Sequence, residues 1–403
     1  MNRALAAAFC SSLGPNGNAT MRVAIIYDCL FPWTIGGAER WYRNLAEKLA
    51  EAGHKVTYLT LRQWDERDTP RLRGVNVVAV GPRLNLYSGG KRRIWPALRF
   101  GLGVFVHLLR HGSQYDRLHM ASFPFFSLLA AGAMKPFYRY KIAVDWHEVW
   151  TAQYWRAYLG GIGRIGAAVQ RLCARVPQQA YSFSYLHAAR AEELGCPAPV
   201  CVLSGEFSGS QQATASVGQP PTFVYAGRLI PEKRVLLLIE AFAKLTRRKP
   251  GIHLTIFGRG PEEVAIDARI KALELGDIVT RRGFVPEEEM EAAMASALAL
   301  VQPSEREGYG MVVIEAASRG VPVVVVAAPD NAAVELIDEG KNGFVAQDAT
   351  ATALADAMAA VIEGGEALRA QSHAWFAAHA ERLSIDCSIN RILADMRRDE
   401  PAG

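Results

Sequence analysis

Short apolar runs alternate with segments of helical spacing along most of the chain. In the first half, residues 23–27, 55–60, 75–80, 115–120, 141–145, 181–185 and 200–203 read as strands. In the second half, strands are expected from Thr222 onward and at 253–258, 279–284, 298–301, 320–326 and 340–345. Runs such as 298–301 are apolar throughout rather than alternating, as in parallel strands buried on both faces. Helices are expected from the Gly36-Gly37 pair to Leu49, at 123–134, 160–179, 187–194, 235–246, 263–275 and 286–296, and from Met311 onward. Alanine-rich helices then continue to Arg398. Strand–helix alternation in both halves predicts an α/β chain of two doubly wound domains, 21–204 and 222–374. Residues 205–221 are rich in Ser, Gln, Gly and Ala with two prolines, and read as a linker or long loop.

Residues 1–20 hold one Arg and a short Ala-rich patch followed by Ser, Gly, Pro and Asn. The patch is short for a signal peptide, and the segment reads as a disordered extension. No apolar run reaches the roughly 20 residues needed to span a bilayer. A length of 403 residues suits two domains, and a net charge of +5 is too mild to argue for nucleic acid. The six cysteines are scattered without a C-x-x-C, which points to a reduced, cytoplasmic protein.

The chemistry gathers at turns that follow strands. Pro303 to Ala317 reads as a loop becoming a helix, with Gly308 and Gly310 allowing close ligand approach and the helix N-terminus favouring an anion. Glu307 and Glu315 flank this turn, and carboxylates accept hydrogen bonds from sugar hydroxyls. An ordinary strand–loop–helix unit explains the same stretch equally well. Arg228 and Lys233 follow a strand and precede a helix, an arrangement that suits a diphosphate or simply two surface cations at a turn. Gly36 and Gly37 either accept an anion or cap their helix. His147 and Glu148 lie just past a strand's carboxyl end, where open α/β sheets bind ligands. Trp146, Trp150, Tyr154, Trp155 and Tyr158 would stack on an acceptor sugar, anchor a lipid interface or form a core edge. Residues 98–109 are nearly all apolar beside Lys91, Arg92, Arg93, Arg99 and Arg110, so this helix is either core with a basic cap or rests on an anionic membrane.

Two glutamates separated by seven residues, with Gly308-Tyr309-Gly310 between them, resemble the signature of retaining glycosyltransferases of family 4. The resemblance extends over Gly-Gly-Ala-Glu at 36–39, Gly-Arg-Leu at 227–229, Glu232-Lys233 and Gly-x-Gly-Pro at 258–261. It implies the two-domain GT-B fold with the site in the cleft. The donor is then a UDP- or GDP-sugar, and the acceptor a glycan, glycolipid or small molecule. The same resemblance assigns Glu307 to the transferred sugar and Glu315 to the ribose. It gives Arg228, Lys233, Gly36 and Gly37 to the diphosphate, and the loop Gly308, Tyr309, Gly310 and Met311 to sugar and phosphate. Phe284, Val285 and Gly258 fall at the base, and His147 on the first domain's face of the site. No Asp-x-Asp motif occurs, which fits a metal-independent enzyme without cofactor. Retention is implied, with Glu307 polarising the sugar while a donor phosphate oxygen takes the acceptor proton. Similar folds send the last helix back to the first domain, so residues 375–403 are expected to pack there. A peripheral position at the inner face of the plasma membrane follows if the acceptor is lipid-linked. Two departures stand out: Arg234 replaces a usual glycine, and 327–335 lacks a usual glycine-rich turn. An epimerase or phosphorylase on the same fold, or a non-catalytic glycan- or membrane-binding protein, are the alternatives.

Overall fold

A computed structural model describes residues 20–65, 68, 70–88 and 91–398. The expected disordered extension lies, up to residue 19, outside the described residues. The chain forms two compact units, Met1–Glu206 with Ile385–Gly403, and Phe207–Ser384.

In the first unit, β1 (Arg22–Ile26), β2 (Lys55–Leu61), β3 (Val75–Gly81), β4 (Arg117–Ala121), β5 (Lys141–Trp146), β6 (Gln179–Ser182) and β7 (Cys201–Val202) form one parallel sheet. Its order is β3-β2-β1-β4-β5-β6-β7. Val23 to Ile26 are buried, which is why β1 reads as a continuous apolar run, whereas β4 is buried throughout although it carries Arg117 and His119. Strand order reverses between β1 and β4, the position where open α/β sheets bind ligands. The helix Ile385–Arg398 belongs to this unit, burying Ile385, Ile389, Ile392 and Met396 at helical spacing. It also serves polar groups: Tyr181 Oη donates to Asp395 at 3.2 Å, and the Gly205 N–H donates to Ser388 Oγ at 3.1 Å.

The second unit contains β8 (Thr222–Ala226), β9 (His253–Phe257), β10 (Val279–Gly283), β11 (Ala299–Gln302), β12 (Val323–Val326) and β13 (Gly343–Ala346), all parallel. Their order is β10-β9-β8-β11-β12-β13. The switch point therefore falls between β8 and β11. Phe223, Leu254, Val301 and Val324 of the sheet pack with Leu238, Phe242 and Met358 of the covering helices Val235–Arg248 and Ala351–Leu383.

Three boundaries differ from the sequence reading. The helix Ala351–Leu383 runs past residue 375, and the change of unit comes after Ser384. Residues 208–221 are not a free linker. Gln212 and Gly218 donate backbone N–H groups to Ser318 and Ser296 carbonyls, both at 2.9 Å. The buried Arg369 guanidinium donates to the carbonyls of Ala215 (2.8 Å), Ala297 (2.7 Å) and Ala295. Composition reports polarity, whereas these backbone bonds depend on partners far along the chain. Finally, the expected helix 160–179 is Gly163–Ala174, preceded by a separate helix Ala152–Leu159 capped by the Thr151 side chain.

Candidate functional site

Each unit carries a cluster of polar groups at its own switch point. In the second unit, β8 delivers Arg228 and β11 delivers Glu307. The two strand ends are tied by Gln302, whose amide donates to the Ala226 carbonyl at 2.8 Å. Tyr225 Oη donates to the Arg228 carbonyl at 2.9 Å, fixing the loop while the Arg228 side chain stays exposed. Burial pushes the Tyr225 phenol up, and the Glu307 charge adds to this while Arg228 opposes it. Lys233 Nζ meets Glu307 Oε1 at 2.5 Å, and Ser304 Oγ donates to the same oxygen at 2.8 Å. Arg228, Lys233 and Glu307 thus share one edge of the sheet.

The loop around Glu307 is held from outside the expected motif. Arg306–Glu307 pairs in parallel with Asp330–Asn331, which places Glu307 opposite Asn331. Asn331 donates to the Ser304 carbonyl (3.2 Å) and the Val326 carbonyl (2.8 Å), and its Oδ1 accepts the Ala333 N–H. So the stretch 327–335, lacking a glycine-rich turn, supports the glutamate through an asparagine. An Asx cap before Ala332–Leu336 was the available sequence signal.

Gly310 has φ +112° and opens the helix Met311–Ala317; a Cβ there would lie 2.9 Å from Ala333 Cβ. Tyr309 is buried, and Gly308, Met311 and Glu315 are half-buried. Arg234 takes the left-handed backbone (φ +49°) that its usual glycine would adopt, and its guanidinium pairs with Glu305 at 3.2 Å. The substitution keeps the turn. Gly258 (φ +129°) lies against backbone: a Cβ there would sit 1.8 Å from the Gly227 carbonyl oxygen. Phe284 follows β10 and is 72 % exposed, with Val285 half-buried beside it.

In the first unit, a pocket of about 160 Å³ lies at the β1/β4 switch point, lined by Tyr27, Ser122, Phe123, His147, Glu148 and Trp150, among others. Its floor is ordered by Asp145, fully buried, which accepts from Trp41 Nε1 at 2.8 Å and pairs with His119 Nε2 at 2.9 Å. Burial opposes the Asp145 charge, yet His119 and Trp41 outweigh it and hold its pKa low. His147 stacks on Phe183 with centroids 4.6 Å apart. Burial lowers its pKa, while Asp145 and Glu148 pull the other way. Trp150 Nε1 donates to Glu148 Oε2 at 2.9 Å, and its ring meets Phe123, Tyr154, Trp155 and Tyr158. Trp146 is apart from this group, fully buried and bonded to Gln178.

Gly36, in extended conformation, and Gly37 open the helix Gly37–Glu51. The Glu39 carboxylate folds against Gly36, where a Cβ would meet Oε2 at 2.3 Å. This helix start already has a carboxylate beside it, as in a capping box.

A model for Glycosyltransferase Family 4 matches residues 35–204, and one for Glycosyl transferases group 1 matches residues 208–374. Alpha-D-kanosaminyltransferase of Streptomyces kanamyceticus is 33 % identical over 146 residues, covering 36 % of this chain and 37 % of that protein. D-inositol 3-phosphate glycosyltransferase of Segniliparus rotundus is 28 % identical over 247 residues, covering 59 % and 54 %. A GDP-mannose-dependent alpha-(1-6)-phosphatidylinositol monomannoside mannosyltransferase of Mycolicibacterium smegmatis is 34 % identical over 154 residues, covering 36 % and 40 %. The chain thus spans about half or less of the length of these curated relatives. Among solved structures, Anabaena HepE in complex with UDP and glucose superposes with a TM-score of 0.72 at 17 % identity, covering 93 % of this chain and 99 % of that one. Sucrose-phosphate synthase from Thermosynechococcus elongatus gives 0.74 at 16 % identity, covering 94 % and 98 %. The chain therefore shares their fold.

Proposed function

The chain belongs to the family 4, group 1 glycosyltransferases, and on that footing we propose that it moves a sugar from a nucleotide diphosphate sugar to an acceptor hydroxyl with retention. The observation that carries this reading is the meeting of Arg228, Lys233 and Glu307 at one switch point. Two cations suit a diphosphate and the charge that develops as it departs. Glu307, fixed by Lys233 and Ser304, is placed to accept from a sugar hydroxyl and polarise the ring. Glu315, one turn into the next helix, takes the ribose, and Phe284 with Val285 the base. In the first unit, His147 and the pocket beside it receive the acceptor end, with Phe123 and Trp150 as stacking faces. A UDP- or GDP-sugar is the donor; HepE was crystallised with UDP-glucose, and the mycobacterial relatives are GDP-mannose-dependent. Titrating UDP, GDP, ADP and TDP into the protein by calorimetry tests this. One of the four binds tightly; a folded protein that binds none of them removes the donor site.

A peripheral membrane position completes the reading. The helix Ile94–His111 exposes Ile94, Trp95, Leu98, Leu102 and Leu109, a stripe at helical spacing, and Phe137 nearby is 73 % exposed. Between residues 82 and 144 a single acidic residue, Asp116, stands among ten Lys and Arg, and it is paired with Arg22. Apolar side chains beside exposed cations such as Arg93 and Arg110 suit an anionic bilayer surface. Among the described residues no helix is long and apolar enough to cross a membrane. Flotation with vesicles is expected to recover the protein when phosphatidylserine or phosphatidylglycerol is present and not on pure phosphatidylcholine. Trp95→Ser/Leu98→Ser/Leu102→Ser is expected to lose this binding while still binding nucleotide. Equal flotation of the variant would exclude the stripe.

A further inference from the structure

One buried carboxylate beside His147 has no place in the proposal above. Glu206 follows β7, where the Gly205 N–H bonded to Ser388 Oγ pins the backbone. Its side chain is 7 % exposed, and Oε1 has no hydrogen-bond partner. That oxygen lies 3.7 Å from His147 Nδ1. His147 Nε2 is also buried without a partner. The imidazole has little freedom to turn away, being stacked flat on Phe183 and met edge-on by Tyr42. The unpartnered Glu206 Oε1 thus faces Nδ1, while Nε2 at the other side of the ring is buried without a partner, and a buried carboxyl oxygen left so is costly unless it shares a proton with its neighbour.

The surrounding charges decide who holds it. Around His147 stand Asp145 at the end of β5, Glu148 in the loop after it, His119 on β4 and Tyr42 on the helix Gly37–Glu51. Asp145 is committed to Trp41 and His119. Burial pushes the Glu206 carboxyl up to about 8, with the Asp145 charge adding to it, and burial lowers His147. Near neutral pH the carboxyl then carries its proton and the imidazole is uncharged. A carboxylic acid is a donor, and His147 Nδ1 is the acceptor within reach; a closure of about 1 Å gives an ordinary hydrogen bond.

We propose that Glu206 is a positioning residue that sets the tautomer of His147: its carboxyl donates to Nδ1, the ring proton resides on Nε2, and His147 meets its ligand as a hydrogen-bond donor. When Glu206 ionises, its carboxylate instead accepts a proton held on Nδ1, and Nε2 becomes an acceptor. The use of this switch in sugar binding rests on the glycosyl-transfer reading; the tautomer itself does not.

The test is a long-range ¹H–¹⁵N spectrum of the full chain labelled at its nine histidines, with His147 assigned from the signals missing in His147→Asn. At pH 7 the wild type is expected to show protonated Nε2 and unprotonated Nδ1. Glu206→Gln, whose amide also donates, keeps that pattern, and Glu206→Leu takes the donor from Nδ1, so its ¹⁵N shift moves toward that of an acceptor nitrogen without a hydrogen bond. Raising the pH to about 9.5 shifts the wild type but leaves Glu206→Gln unchanged, which keeps the test alive if the leucine variant does not fold. A wild-type His147 protonated on Nδ1 at pH 7, or one indifferent to both pH and substitution, overturns the proposal. Neither result depends on turnover, so loss of the transferase reading and loss of this one are told apart.

Discussion

Glu307→Ala is expected to lower sugar transfer by about 10³-fold, the scale of removing one transition-state contact from a preorganised site. Nucleotide affinity is expected to change little, because the carboxylate is given to the sugar and its loss leaves both Arg228 and Lys233 in place for the diphosphate. Glu307→Gln separates charge from shape. It retains an acceptor for the sugar hydroxyl but loses the pairing with Lys233, so it is expected to fall between the alanine variant and the wild type. Initial rates with radiolabelled donor, set beside calorimetric nucleotide affinity for each variant, check this. Parallel loss of affinity and rate would make Glu307 a donor-binding residue only.

Arg228→Ala/Lys233→Ala is expected to weaken nucleoside diphosphate binding by about 10²-fold or more, since a hydrogen bond to a charged group is worth about 1.5–3 kcal/mol. The single changes should differ. Arg228 is exposed, so its loss acts on the ligand alone. Lys233 also neutralises Glu307, so Lys233→Ala leaves a half-buried carboxylate facing the incoming phosphate and is expected to be the worse of the two. Competition binding of UDP and of free uridine checks this: both variants lose preference for the diphosphate, Lys233→Ala more than Arg228→Ala, and the nucleoside binds as before. Unchanged diphosphate affinity in the double variant would remove both residues from the site.

The parallel α/β architecture was legible because strands buried on both faces are largely apolar, as Val23 to Ile26 of β1 and all of β12 are. Arg228, Lys233 and Glu307 were legible because each sits within a few residues of a strand end, so short-range spacing carried them to one edge. Their supports were not. Asn331 and Glu206 act through partners in other segments, and nothing local to either residue announces Ser304 or His147 as its neighbour. The packing of segment 208–221 was hidden for a related reason. Its low apolar content is that of a linker, and only Arg369, far along the chain, makes its carbonyls part of a folded surface.

The helix Ile385–Arg398 has a consequence for the order in which the protein is made. A ribosome releases β1 to β7 early, but Tyr181 and Gly205 obtain their partners Asp395 and Ser388 only from this helix. All of Phe207–Ser384 must be synthesised in between. The second unit is continuous in sequence and can complete itself as it emerges, whereas the first, although it is begun first, is finished last.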